Sequence, residues 1–127
     1  MLTIGQLAKK VKINLETIRY YQRIGLMRTP NKNGNYRYYN QADIDILNFI
    51  IKGKNAGLQL TEIKELLQLQ FNDHAKAREV IAHRLAQIDQ RISELTILKQ
   101  RLNSWINQCE LAQEKPCPIL LALQDKT

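Results

Sequence analysis

Two cysteines, Cys109 and Cys117, are the only thiols in this chain of 127 residues, with seven residues between them near the C-terminus. Paired thiols do one of two kinds of chemistry: as thiolates they bind soft or borderline metal ions, or they oxidise to a disulfide. In a reducing compartment such a pair more often supplies metal ligands or redox thiols than a structural disulfide. Pro118 suits the first position of a helix, which makes Cys117 its N-cap, and a helix N-terminus favours thiolate over thiol. A second chemistry lies at the other end. Residues 1–54 hold ten Lys or Arg against three acids, together with all five tyrosines, whereas residues 55–127 balance nine against nine. Cations mixed with phenol hydroxyls form a surface for gripping phosphates. No segment pairs that charge with an exposed insertion face, so nucleic acid is favoured over a membrane surface as partner.

These groups need elements to position them, and residues 74–109 supply the longest. Ile81, Leu85, Ile88, Ile92, Leu95, Leu102 and Ile106 follow one another at steps of four and three, broken only where Lys99 replaces an apolar residue. That is the period of a coiled-coil seam, and good helix formers with no Gly or Pro fill the rest. A lone helix cannot bury its own stripe, so the pattern predicts self-association. The chain length suits one small domain plus an extension, stabilised by a shared dimer core. The N-terminus MLTIGQLAKK lacks the apolar core of a signal peptide and no apolar run reaches membrane-spanning length, so the expected location is the cytoplasm. There is no CxxC motif and no nucleophile-base constellation, which argues against an enzyme.

In chain order, Thr3 caps a short helix carrying Ile4, Leu7, Ala8 and Val11, and Asn14 caps a second that Gly25 ends. Two short helices with a tight turn read as helix-turn-helix. Turn residues Asn33 and Gly34 beside Tyr36, Tyr38 and Tyr39 predict a β-hairpin, a wing. Asn40 then caps a helix running to about Asn55, and Thr61 with Lys64 and Glu65 begins another, with Ile63, Leu66 and Leu67 inward. The long helix follows Phe71, Asn72 and Asp73, and a loop from Cys109 to Cys117 leads to a last turn at Pro118.

The stretches ETIRYYQRIGL (16–26), NYRYYN (35–40), ADIDILNFI (42–50) and LQLTEIKELL (58–67) resemble the MerR transcription regulators over nearly the full length. The resemblance implies a mainly α fold: a winged helix-turn-helix DNA-binding domain with a small β-hairpin wing (1–70), a long antiparallel coiled-coil dimerisation helix (71–108), and a metal-sensing loop with a short terminal helix (109–127). It implies a homodimer acting on double-stranded operator DNA with RNA polymerase at the promoter, and repressing or activating by DNA distortion. It also places Thr17, Arg19 and Tyr20 on the recognition helix, Arg37 and Tyr39 on the wing, and Lys52 or Lys54 at a basic position touching the backbone. Arg offers a planar donor fork to phosphate or guanine, and Tyr one directional hydrogen bond to a phosphate oxygen. Tyr21 is expected in the core, and Tyr38 as a cover for the hairpin.

The same resemblance makes Cys109 and Cys117 the metal-binding pair. Thirty-five residues before Cys109, the separation the family implies for a third position, stands His74. A helix of that length is about 50 Å long, so His74 reaches the cysteines only from an opposite, antiparallel subunit. Imidazole with two thiolates suits Zn²⁺, Ni²⁺, Co²⁺ or Cd²⁺, whereas two thiolates alone suit linear Cu⁺. A divalent-metal sensor is therefore the leading expectation. The alternatives are a Cu⁺ sensor, a thiol-redox sensor using the same cysteines, and an architectural DNA-binding protein with an incidental pair.

Overall fold

The computed structural model describes residues 1–124 and divides into two compact units, Met1–Arg84 and the chain from Leu85 onward. In the first unit α1 (Ile4–Val11) opens on a capping box. The Thr3 hydroxyl accepts from the Gln6 N–H, and the Gln6 side-chain oxygen accepts from the Thr3 N–H. Lys12, in the left-handed region at φ 61°, turns the chain into α2 (Leu15–Arg23). Asn14 caps α2 by accepting from the Glu16 N–H at 2.8 Å. Gly25, at φ +77°, ends this helix as a residue without a Cβ should.

The wing is short: β1 (Lys32–Asn33) pairs antiparallel with β2 (Tyr36–Arg37), Lys32 opposite Arg37 and Asn33 opposite Tyr36. Its exit is tied down from the other end of the chain, because Leu2 and Tyr39 exchange backbone hydrogen bonds of 2.9 and 2.7 Å. Next, α3 (Gln41–Asn55) begins on a capping box between Asn40 and Asp43. Asp43 does more than cap. Its carboxylate is fully buried, accepts two bonds from the Arg28 guanidinium at 2.9 and 2.8 Å, and accepts the Asn40 N–H at 2.9 Å. One carboxylate thus joins the segment leading into the wing to the helix leaving it.

Around these caps Leu7, Ile18, Tyr21, Leu47, Ile50 and Ile63 form the centre of the buried core. The helix α4 (Leu60–Leu67) packs on α3 where Gly53 leaves room: a Cβ there would stand 2.8 Å from Ile63 Cγ1 and 2.9 Å from its Cδ1. The start of α4 differs from the sequence expectation. The helix begins before Thr61, because Glu62 reaches back to accept the Gln59 N–H at 2.8 Å and fixes Gln59 as the cap. Of the residues expected inward, Ile63 is fully buried and Leu66 and Leu67 are half-buried.

The long helix α5 (His74–Ala112) runs through both units, and α6 (Pro118–Gln124) follows it. Cys109 is therefore helical, three residues inside the end of α5, not the first residue of a loop. Glu110, Leu111 and Ala112 continue the helix as good helix formers. It stops at Gln113, which takes a positive φ of 28°. The expected C-terminal segment 109–127 includes residues 125–127, which lie outside the described residues. No described helix is long and apolar enough to cross a membrane.

Two substitutions test this packing. Asp43→Ala strips the Arg28 guanidinium and the Asn40 N–H of their acceptor and is expected to lower unfolding free energy by about 2–4 kcal/mol. Gly53→Ala is expected to cost about 1–2 kcal/mol despite the better helix propensity of Ala, because the buried Ile63 has to move. Urea unfolding followed by circular dichroism measures both, and midpoints equal to that of the native chain would contradict the packing described.

Candidate nucleic-acid interface and thiolate pair

On α2 the buried Ile18 and Tyr21 fix which face is left outside, and that face carries Arg19, Tyr20 and Arg23 with Thr17 half-buried beside them. Arg19 Nη1 bonds Glu16 Oε1 at 2.8 Å, with both side chains more than half exposed. Such a pair contributes little in water and exchanges readily for a phosphate. The Arg23 guanidinium lies 5.7 Å from the centre of the Tyr20 ring, a cation–π contact that orients both.

Between α2 and the wing lies a cleft of about 360 Å³, walled by Arg19 and Gln22 on one side and by Lys32, Asn35, Tyr36 and Arg37 on the other. Three cations line it and no carboxylate does. Lys32 and Arg37 are direct cross-strand partners, an arrangement in which like charges repel. A bound anion relieves that repulsion. Arg37 is anchored meanwhile, one arm of its guanidinium donating to the Pro30 carbonyl at 2.7 Å.

The structure thus brings Arg19 and Arg37 to one cleft, with Thr17 and Tyr20 on the helix that forms its wall. Lys52 and Lys54 stand exposed in the last turn of α3, outside that lining. Tyr39 lies at the back of the same cleft. It is fully buried, and its hydroxyl takes a 2.6 Å hydrogen bond from Gln22 Nε2, which also donates to the Arg28 carbonyl at 3.3 Å. Tyr39 is thus a strut between the wing and α2. Lys32, Asn35 and Tyr36 went unnoticed as site residues. The strand register that sets Lys32 against Arg37 was the signal, and with a turn this short it was available from the hairpin pattern.

At the other site the Cys109 and Cys117 sulfurs face each other at 3.1 Å as free thiols, both half-buried. The turn after α5 is closed by the Lys115 N–H donating to the Ala112 carbonyl at 2.7 Å, and Cys117 then caps α6, its carbonyl accepting from the Leu121 N–H at 3.1 Å. A backbone hydrogen bond from Leu120 and the bond from the Cys109 thiol hold the Cys117 pKa below the ordinary thiol range. The same contact with Cys117, helped by desolvation, pushes Cys109 up. The contact thus drives the two thiols apart, Cys117 towards easier and Cys109 towards harder loss of its proton. His74 is exposed as the first residue of α5. Within one chain, no group of three His, Cys, Asp or Glu side chains converges on a common centre among the described residues.

Residues 2–70 match the family described as MerR HTH family regulatory protein, and residues 44–105 match the family described as MerR, DNA binding. The mercuric resistance operon regulatory protein of Shigella flexneri is 35% identical over 97% of this chain and 88% of its own length. The HTH-type transcriptional regulator HmrR of Rhizobium leguminosarum bv. viciae is 35% identical, with 98% of each chain covered. Among solved structures, the transcription regulator PbrR691 from Ralstonia metallidurans CH34, in complex with lead(II), superimposes with a TM-score of 0.81 at 28% identity, covering 97% of this chain and 99% of that one.

The cleft generates a measurable expectation. Lys32→Ala and Arg37→Ala should each weaken binding to duplex DNA evenly across sequences and reduce the slope of log Kd on log salt by about one. Tyr39→Phe should leave that slope unchanged and cost about 1 kcal/mol of folding stability through the unpaired Gln22 amide. Fluorescence anisotropy over a series of salt concentrations reads the slopes. Equal slopes for Lys32→Ala and the native chain would remove the wing from the interface.

Proposed function

Because this chain belongs to the MerR family of helix-turn-helix regulatory proteins, we propose that it is a metal-responsive transcription regulator of the cytoplasm, working as a homodimer on double-stranded operator DNA. The observation that carries the proposal is the 3.1 Å approach of two half-buried sulfurs at the end of a helix whose apolar stripe is exposed. Cys109 and Cys117 supply the soft donors. His74 of the opposite subunit supplies the third. A metal ion bound there would displace the thiol protons and tie α5 to α6 across the turn between them.

Two thiolates and an imidazole suit borderline or soft divalent ions, with Zn²⁺, Ni²⁺, Co²⁺ and Cd²⁺ as the first candidates. The names of the relatives, a mercuric resistance regulator and a lead(II) complex, add Hg²⁺ and Pb²⁺ to the set. The donor pair without His74 favours Cu⁺. At the DNA, Thr17, Arg19 and Tyr20 on α2 and Arg37 on the wing make the major-groove and phosphate contacts, with Lys52 and Lys54 on the flanking backbone. Metal binding shifts the dimer between two arrangements of its DNA-binding units. The operator is distorted so that RNA polymerase engages the promoter, and output follows a deformation energy.

A second reading uses the same contact. Sulfurs 3.1 Å apart and reduced stand close enough to oxidise to a disulfide, which would make the protein a thiol-redox sensor. In vitro transcription with the reduced protein separates the two readings, titrated once with each metal and once with peroxide. The expected result is activation by at least one metal, lost in Cys109→Ser and in Cys117→Ser while operator affinity is retained. His74→Ser is expected to weaken a divalent response by at least about tenfold. Activation by peroxide with no tight metal binding would establish the redox sensor instead, and a divalent response indifferent to His74→Ser would exclude the third ligand.

A further inference from the structure

Residues 1–54 carry only three acids among ten cations, and the three are placed unequally. Asp43 is fully buried against Arg28, and Asp45 stands on α3, where it accepts from the Gln41 side chain at 2.9 Å. Glu16 is the one on α2, exposed in its first turn. It shares a face with Arg19, Tyr20 and Arg23, at the helical spacing of three, four and seven residues, the face that the buried Ile18 and Tyr21 leave outside. A first-turn acid suits the helix dipole, so Glu16 is no burden on α2 itself. Towards DNA it is a burden, because a carboxylate on a surface that grips phosphates repels them and lowers affinity for every sequence alike. A group that weakens all complexes equally earns selectivity when some sequences offer it a partner and others do not.

The bond that Glu16 makes points to that partner. Its Oε1 accepts from Arg19 Nη1 at 2.8 Å, so the two side chains together offer an acceptor and several donors side by side. The major-groove edge of a C·G base pair offers the reverse, the cytosine N4 amino donor beside the adjacent O6 and N7 acceptors of guanine. An A·T pair sets its donor between two acceptors and ends in the thymine methyl, so the guanidinium fork meets no adjacent pair of acceptors there. We infer that Glu16 and Arg19 read one C·G base pair in each half of the operator, Glu16 accepting from cytosine N4 and Arg19 donating to guanine. Glu16 thereby sets specificity while lowering affinity. The inference rests on the DNA-binding reading above and adds a residue and the base it selects. A phosphate that displaced Glu16 from Arg19 would strand the carboxylate against the backbone charge, whereas the base edge satisfies both members of the pair.

Duplexes enriched from a random pool on the full-length, reduced chain supply the operator. Anisotropy titration then gives Kd for that operator, for each single-base-pair change, and for N4-methylcytosine at each cytosine, where the methyl group blocks the groove-side N4–H and leaves base pairing intact. With the native chain, one C·G position per half-site is expected to weaken binding at least about fivefold on either change. Glu16→Ala is expected to lose the response to N4-methylcytosine, to keep its discrimination at the other positions, and to bind unrelated duplex at least about twofold more tightly. Glu16→Gln, with a donor beside its acceptor, should move the preference at that position towards A·T. Equal losses on methylation in the native chain and Glu16→Ala overturn the base contact, as does a native chain indifferent to methylation at every cytosine. Weaker binding of Glu16→Ala to all duplexes makes Glu16 a support of α2 and overturns its role in specificity. A native chain that enriches no sequence removes the DNA-binding regulator, and the inference with it.

Discussion

A helix of thirty-nine residues with no buried side chain is the constraint on which the rest of this protein turns. The apolar stripe of α5 lies against water, and removing such a surface from water stabilises by about 25 cal/mol for each Å² covered. A cover has to share the period of four and three, and a second copy of the same helix does. The rod is also stiff. With His74 at its first residue and Cys109 in its last turn, the helix holds them about 50 Å apart within a chain, whatever the rest of the molecule does. A site that used both ends would therefore need two chains.

The first unit meets a different demand, holding several cations near one another without letting the surface splay. Lys32 and Arg37 face each other across a hairpin of four paired residues, too small to be stable alone. It is held from behind. Leu2 binds the exit of the wing, Tyr39 fills the core beneath it, Gln22 bonds the Tyr39 hydroxyl, and Asp43 fastens Arg28 on the segment leading in. The charges are thus fixed before any anion arrives, so little ordering remains to oppose binding.

Continuation of α5 to Ala112 changes how the thiolate pair works. Cys109 sits on a rigid helix and Cys117 on the cap of the next, with the turn at Gln113 between them. The distance between the sulfurs therefore reports the geometry of that turn. An ion bridging them would act on two helices at once.

Much of this was legible in the residues. Period and capping placed the helices, because Thr3, Asn14 and Asn40 declare helix starts and Gly25 and Gly57 declare stops through local hydrogen bonding and φ alone. Charge placed the phosphate-gripping surface at the N-terminal end for a similarly local reason, and the heptad demanded a partner. What was missed depended on contacts between residues distant in sequence or on competition between neighbouring signals. Thr61 looks like a cap until Glu62 reaches back to Gln59. Resemblance sets Tyr39 on the wing beside Arg37, and only its bonds to Leu2 and Gln22, thirty-seven and seventeen positions away, draw it inside. The sequence by itself determined the element types, the charge asymmetry and the heptad stripe of the long helix, since each follows from composition and short-range period. Tertiary structure alone decided which cations share a cleft and that the Cys109 and Cys117 sulfurs meet at 3.1 Å, because those outcomes depend on distances that no spacing along the chain specifies.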